Sequence, residues 1–98
     1  MPRLIVEQGK DSGAEILVIG AVTVGRDASC GLPIHDHQAS RQHCRFEAFG
    51  DRLKVRDLES RNGTRVNGAK AVEAELQLGD RITVGRTVLR VAEGAVGS

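Results

Sequence analysis

Short apolar stretches, most of them rich in Val and Ile, alternate along this chain with polar segments that contain glycine. The apolar residues repeat with a period of two or form short continuous runs, and no segment sustains the 3.6-residue period of an amphipathic helix. This pattern is typical of an all-β fold, a β-sandwich of two antiparallel sheets. The predicted strands cover residues 4–8, 15–19, 22–25, 32–34, 44–49, 53–57, 64–66, 81–84 and 87–92.

Three of the connections have sequences that favour tight turns. Gly50-Asp51 and Gly85-Arg86 place glycine at the first central position of a two-residue hairpin loop, where its backbone freedom suits the twist of the strands. Asn67-Gly68 tolerates a positive φ at both central positions. The longest irregular segment spans residues 27–41, and long loops on small rigid scaffolds often carry binding residues.

The length of 98 residues predicts one domain over residues 1–98, with a core at about 4–92 and a flexible tail at 93–98. Aromatic residues make up only 2% of the chain. The core must therefore consist of Val, Ile, Leu and Ala, and the sequence argues against platforms that stack nucleic-acid bases.

The charges nearly balance, with 14 basic and 13 acidic side chains and a net charge of +1. This balance predicts neither a nucleic-acid nor a membrane partner, and no apolar run is long enough to span a membrane. Cys30 and Cys44 in a chain that has no apolar signal segment favour the reducing cytoplasm. Eleven of the basic residues are Arg, whose planar fork of donors suits phosphate.

Four short polar motifs follow one another in the middle of the chain: Gly-Arg at 25–26, Ser-Arg-Gln-His at 40–43, Ser-Arg-Asn-Gly-Thr at 60–64 and Val-Asn-Gly at 66–68. Each motif is common alone, but their order and spacing together resemble the forkhead-associated (FHA) domain, a phosphothreonine-binding module. The resemblance continues through Leu-Gly-Asp at 78–80. It implies a sandwich with its recognition loops at one end, no cofactor and no catalysis. The implied partner is a phosphothreonine-containing protein or peptide in a serine/threonine kinase pathway.

A phosphothreonine carries roughly −1.5 to −2 charges near neutral pH and three acceptor oxygens, so its receptor needs a guanidinium and hydroxyl and N–H donors. The resemblance assigns Arg26 to the phosphate as the charged fork, and Ser40 as a hydroxyl donor together with the neighbouring backbone amide. Arg41 is expected beside the phosphate or the peptide backbone. Asn62 is expected to hold the peptide main chain, and Arg61 to add a second cation where many family members have Ser or Thr.

Other motif residues are expected to support the site without touching the ligand. His43 resembles the buried histidine that joins the recognition loops. Residues 37 and 38, together with Arg61, are candidates for reading the peptide residues that flank the phosphothreonine. The remaining supporting residues are Gly25, Asp57, Gly63 and Thr64.

Alternative functions stay open at this stage. A zinc site is suggested by Cys and His at positions 30, 35, 37, 43 and 44, although adjacent residues of a strand point to opposite faces and cannot both bind one ion. Ser40, His43 and Asp57 have the residue types of a hydrolytic triad, but the Gly-x-Ser-x-Gly elbow is missing. The third alternative is an FHA module that binds a protein partner, or part of its own protein, without phosphate.

Overall fold

The computed structural model describes residues 1–94, which form eleven strands and no helix. The alternation of buried and exposed side chains along the strands, such as exposed Arg81 and buried Ile82 in the tenth, is the alternation seen in the sequence. The strands are β1 (Arg3–Gln8), β2 (Glu15–Leu17), β3 (Ala21–Gly25), β4 (Leu32–Pro33), β5 (Cys44–Phe49), β6 (Arg52–Asp57), β7 (Thr64–Val66), β8 (Ala69–Ala71), β9 (Glu73–Leu76), β10 (Arg81–Val84) and β11 (Thr87–Ala92).

The strands make two sheets. One has six strands in the order β2-β1-β11-β10-β7-β8, and the other has five in the order β4-β3-β5-β6-β9. Side chains of both sheets meet in one hydrophobic cluster, in which Phe46 of β5 and Leu89 of β11 are fully buried. The predicted all-β sandwich is therefore confirmed, with a core made almost entirely of aliphatic residues.

Two details differ from the prediction. Strands β8 and β9 were not expected, because Ala, Glu and Lys, which dominate both segments, have low β-propensity. Both form because each pairs with a neighbouring strand, β8 with β7 and β9 with β6. The second difference is that β3 and β4 pair in parallel, so the five-stranded sheet is mixed. Residues 26–31 lead the chain from the end of β3 back to the start of β4, which has only two residues.

The three predicted turns are present. Phe49 pairs with Arg52, which leaves a two-residue loop whose first residue, Gly50, has φ of 61°. Gly85, between paired Val84 and Thr87, has φ of 63°. Each turn thus uses glycine where a side chain would strain the backbone. At the third turn, Asn67 and Gly68 have φ of 51° and 87°, as the sequence predicted.

The register of the strands brings four connections to the same end of the sandwich. Strand β3 ends at this end, β5 begins there, β6 ends there and β7 begins there. The turn between β10 and β11 also lies at this end, since Val84 pairs with both Thr64 and Thr87. The motif residues that the sequence placed in separate segments are therefore neighbours in space.

Of the predicted tail at 93–98, residues 95–98 lie outside the described residues. Gly94 is buried, and a Cβ added to it would overlap the backbone of Met1. Within residues 1–94, no helix is long and apolar enough to cross a membrane.

Candidate functional site

Arg26 follows the last residue of β3 and is fixed to the loop that contains Ser40. Its backbone N–H donates to the carbonyl oxygen of Ser40 at 3.0 Å, and its Nε donates to the carbonyl oxygen of Ala39 at 2.6 Å. Because Nε is already used, the guanidinium is held in place while its two terminal NH₂ groups stay available. Gly25 permits this close approach, since a Cβ there would overlap the carbonyl of Arg41.

The hydroxyl of Ser40 faces the loop between β6 and β7. Its Oγ accepts a hydrogen bond of 2.9 Å from the backbone N–H of Arg61. The hydroxyl proton therefore points away from this donor and can be donated to an acceptor in the site. The backbone N–H of Ser40 is used internally, because it donates to Nδ1 of His43 at 3.0 Å.

His43 is completely buried and joins two loops. Its Nδ1 accepts from Ser40, so the ring proton is on Nε2, which donates to the carbonyl oxygen of Gly63 at 2.8 Å. The neutral imidazole thereby sets the distance between the loop that contains Ser40 and the loop that contains Asn62.

Asp57 organises the turn that begins at the end of β6. Its carboxylate accepts hydrogen bonds from the hydroxyl and the N–H of Ser60 and from Thr64 Oγ1, the last at 2.8 Å. Burial by itself opposes ionisation of this carboxylate, but the hydrogen bonds from Ser60 and Thr64 outweigh burial and lower its pKa. Asp57 thus fixes the loop between β6 and β7 through Ser60 and Thr64, and it does not line the depression formed by Arg26 and Ser40.

Arg26, Ser40, Arg61 and Asn62 line one depression of about 380 Å³, which we call the anion pocket. Its remaining wall consists of residues 37–39. The fifth predicted contact residue, Arg41, does not line this pocket; it lines a neighbouring depression with Arg26 and Asp27. Four of the five predicted contact residues therefore converge, and Arg41 stands on the other side of Arg26.

Asn62, in the loop between β6 and β7, is bonded across the anion pocket to the loop between β4 and β5. Its Nδ2 donates to the carbonyl oxygen of Gln38 at 2.8 Å. Within residues 1–94 its Oδ1 has no hydrogen-bond donor, which leaves an acceptor for the N–H of an extended peptide.

Sequence reasoning missed Asp36, which joins the loop between β4 and β5 to the turn between β10 and β11. Its carboxylate accepts from the N–H of Arg86 and the hydroxyl of Thr87, both at 2.7 Å, and from the N–H of Gln38 at 2.9 Å. Burial opposes ionisation of Asp36, but these hydrogen bonds dominate and lower its pKa. The bond to Gln38, two residues along, was open to prediction as an Asx-turn; the contact with Thr87 has no local signal.

Asp11 provides a second link that the sequence did not suggest. Its carboxylate accepts from the backbone N–H of His35 at 2.6 Å and contacts Nδ1 of the same residue at 2.7 Å. Burial again opposes ionisation, and the hydrogen bonds from His35 prevail and lower the pKa of Asp11. The loop between β1 and β2 thereby fixes the start of the loop between β4 and β5.

The structure also bears on the hydrolase and zinc alternatives. His43 uses both ring nitrogens on backbone groups, and Asp57 binds Ser60 and Thr64, so neither is arranged to activate the Ser40 hydroxyl. No three His, Cys, Asp or Glu side chains within residues 1–94 are placed to share a metal ion.

Both cysteines are free thiols in the interior. Cys44 belongs to the core, and burial strongly raises its pKa. Cys30 is also buried, and its Sγ donates to the carbonyl oxygen of Arg41 at 3.2 Å. Burial also raises the pKa of Cys30, so neither thiol is activated as a nucleophile.

Comparison with known proteins agrees with this geometry. The family model for the FHA domain matches residues 22–85, a range that contains every residue of the anion pocket. A solved FHA domain studied for its phosphothreonine-dependent interactions superposes with a TM-score of 0.85 and 28% identity, covering 97% of this chain and 98% of its own. The FHA domain of FhaA, solved in complex with the intracellular domain of Rv3910, gives a TM-score of 0.86 at 29% identity, covering 93% and 99%.

Curated relatives include the oxoglutarate dehydrogenase inhibitor of Corynebacterium jeikeium, which is 32% identical over 94% of this chain and 65% of its own length. The glycogen accumulation regulator GarA of Mycobacterium tuberculosis is 32% identical over 85% of this chain and 52% of its own length. The chain thus spans roughly half to two thirds of these relatives. It belongs to the FHA domain family, which confirms the family predicted from the four motifs. Phosphothreonine-dependent interactions, the function predicted from the same motifs, are described for a solved member of this family.

Proposed function

We propose that this chain binds a phosphothreonine side chain of a partner protein in its anion pocket and performs no catalysis. The observation that carries the proposal is the convergence of Arg26, Ser40, Arg61 and Asn62 on one depression of about 380 Å³. The chain's membership of the FHA family and its similarity to regulators such as GarA support this function.

The donors in the pocket match the chemistry of a phosphate dianion. The terminal NH₂ groups of Arg26 supply a charge-assisted pair of hydrogen bonds, and the Ser40 hydroxyl supplies a third donor. The N–H of Arg41, next to Ser40, has no hydrogen-bond partner within residues 1–94, but Arg41 lines the neighbouring depression and not the anion pocket. Arg61 adds a second positive charge at the rim.

Most of these donors are arranged before any ligand binds. Hydrogen bonds to Ala39, Arg61 and His43 fix Arg26 and Ser40 in place, so little conformational entropy is lost when phosphate enters. Each charge-assisted hydrogen bond is worth about 1.5–3 kcal/mol. Because the pocket offers little apolar surface, removing the phosphate should remove most of the affinity.

Asn62 is assigned to the main chain of the bound peptide. The unused Oδ1 of Asn62 accepts a peptide N–H, an interaction that does not depend on the peptide's side chains. We place the partner in a serine/threonine kinase pathway, because such a kinase supplies the phosphothreonine. The two free thiols fit a reducing cytoplasm.

The test is isothermal calorimetry with one peptide in three forms, containing threonine, phosphothreonine or phosphoserine. We expect binding of the phosphothreonine form, a loss of at least about 2 kcal/mol without phosphate, and weaker binding of phosphoserine. Equal affinity for the phosphorylated and unphosphorylated forms would overturn the proposal and favour a module that binds without phosphate. Arg52→Ala serves as a control, because Arg52 is exposed at the opposite end of the sandwich and pairs with Glu75 at 3.3 Å.

A further inference from the structure

A second depression adjoins the anion pocket. It has a volume of about 490 Å³, and His37 and Gln38 line both depressions and form the ridge between them. We call it the flank pocket. Its other walls come from the loop after β1, with Gly9 and Lys10, and from the turn before β11, with Arg86. Neither of these segments contributes to the anion pocket.

The walls of the flank pocket are rigidly connected. Asp36 is bonded to the N–H of Arg86 and to Thr87, and Asp11 is bonded to His35. Gly85 permits the contact between the loop and the turn, since a Cβ there would lie 2.9 Å from the carboxylate oxygens of Asp36. Three separate segments thus hold one fixed surface beside the phosphate site.

The charged side chains that this surface presents to solvent without a partner are cationic. Lys10 and Arg86 are both exposed, and their side chains have no ion-pair or hydrogen-bond partner within residues 1–94. The two nearby carboxylates, of Asp11 and Asp36, are turned inward and consumed by hydrogen bonds; the side chain of Asp11 is only 15% exposed. An anion approaching from solvent therefore meets the ammonium and guanidinium groups before it meets either carboxylate.

We infer that the flank pocket binds acidic side chains of the same partner segment, next to its phosphothreonine. This inference rests on the proposed function and extends it to sequence preference. An extended peptide that crosses the ridge at His37 and Gln38 leads directly from one depression into the other. Lys10 and Arg86 are then specificity-determining residues that favour Asp or Glu in the partner, on one side of the phosphothreonine.

The expected preference is moderate, because exposed ion pairs are screened by water and salt. Two such pairs should increase affinity about fivefold to tenfold at low ionic strength. The increase should become smaller at high salt, since the cations are exposed.

The experiment uses synthetic phosphothreonine peptides of equal length in three versions. One has Glu at the positions before the phosphothreonine, one has Glu at the positions after it, and one has Gln throughout. Affinities are measured by fluorescence polarisation for the wild-type chain and for the double variant Lys10→Ala/Arg86→Ala. The control is the double variant Arg52→Ala/Lys54→Ala, which removes the same charge from β6, where these residues pair with Glu75 and Glu73.

We expect one of the two Glu peptides to bind wild type about fivefold to tenfold more tightly than the Gln peptide. Lys10→Ala/Arg86→Ala should remove this difference while keeping the affinity for the Gln peptide, and Arg52→Ala/Lys54→Ala should retain it. Equal binding of all three peptides by wild type would overturn the inference alone, as would a preference that survives in Lys10→Ala/Arg86→Ala. Binding of none of the peptides would overturn the proposed function, and the inference with it.

Discussion

The backbone N–H of Ser40 donates a hydrogen bond of 3.0 Å to Nδ1 of His43. This amide is consequently not available to a phosphate, although it belongs to a residue that is assigned to phosphate binding. The bond instead fixes the orientation of the Ser40 backbone, and with it the direction of the hydroxyl. His43 therefore acts on the anion pocket through position and does not contact the ligand.

The variant His43→Ala should lose stability. It leaves the Ser40 N–H and the Gly63 carbonyl without their buried partner and opens a cavity, which together cost about 2–5 kcal/mol. Differential scanning calorimetry should show a melting temperature at least roughly 10 °C lower. His37→Ala, which removes an exposed histidine, is the control and should melt like wild type. An unchanged melting temperature for His43→Ala would contradict the role of His43.

The variant Arg26→Ala should lose binding but keep stability. Its guanidinium supplies the charged donors of the anion pocket, so the affinity for a phosphothreonine peptide should fall by roughly 2–4 kcal/mol. The change in unfolding free energy should be about 1 kcal/mol, because one part-buried hydrogen bond to Ala39 is lost. Calorimetric titration and urea unfolding of the same preparation separate the two effects. Wild-type affinity in this variant would show that Arg26 does not bind the phosphate.

Glu59 lies in the loop after β6 with a φ of 56°, a left-handed conformation that is unfavourable for a residue with a long side chain. Replacement by glycine should relieve this strain and raise the unfolding free energy by about 1 kcal/mol. Gly20→Ala is the reciprocal test. Gly20 has a φ of 73°, and a Cβ added to it would meet no atom within 4 Å, so that any loss of stability there reports the backbone alone. Urea unfolding that shows Glu59→Gly to be less stable than wild type would contradict the assignment of strain.

The free energy of unfolding should fall at acid pH, because Asp57, Asp36 and Asp11 hold loops in place through hydrogen bonds to their ionised carboxylates. The pKa of Asp57 is lowered in the folded state, since its hydrogen bonds outweigh the effect of burial. Its contribution is therefore fully present above the ordinary carboxyl pKa, near about 3.9, and is lost as the pH falls through the lower folded pKa. Urea unfolding between pH 7 and pH 3 should show this decline. Asp57→Asn should be less stable at pH 7 and should show a shallower decline below pH 5; an equally steep decline would exclude Asp57 as its source.

Peptide affinity should also depend on pH, through the ligand. The second ionisation of the phosphate lies near pH 6, so acidification from pH 7.5 to pH 5.5 removes the dianion and should weaken binding. Fluorescence polarisation with one phosphothreonine peptide across this range measures the decline. A flat profile would show that the monoanion binds as well as the dianion.

Much of the fold could be predicted because its signals are local. The alternation of residues in β10 and the glycine at position 50 depend only on their own segments. Strands β8 and β9 were missed because their stability comes from pairing with β7 and β6 and not from their own propensity. For the site, the motifs identified Arg26 and Ser40. No local pattern shows that Arg41 lies outside the anion pocket, in the neighbouring depression.

The amino-acid sequence alone determined the fold class, the family and the residue types of the phosphate site, because strand periodicity, turn glycines and motif spacing are properties of neighbouring residues. The tertiary structure decided which donors are free. It joined Asp36 to Thr87, 51 positions apart, and it used the Ser40 amide on His43 while leaving the hydroxyl available. Contacts between residues so far apart depend on the order and register of the strands, and these are fixed only when both sheets pack around their shared core.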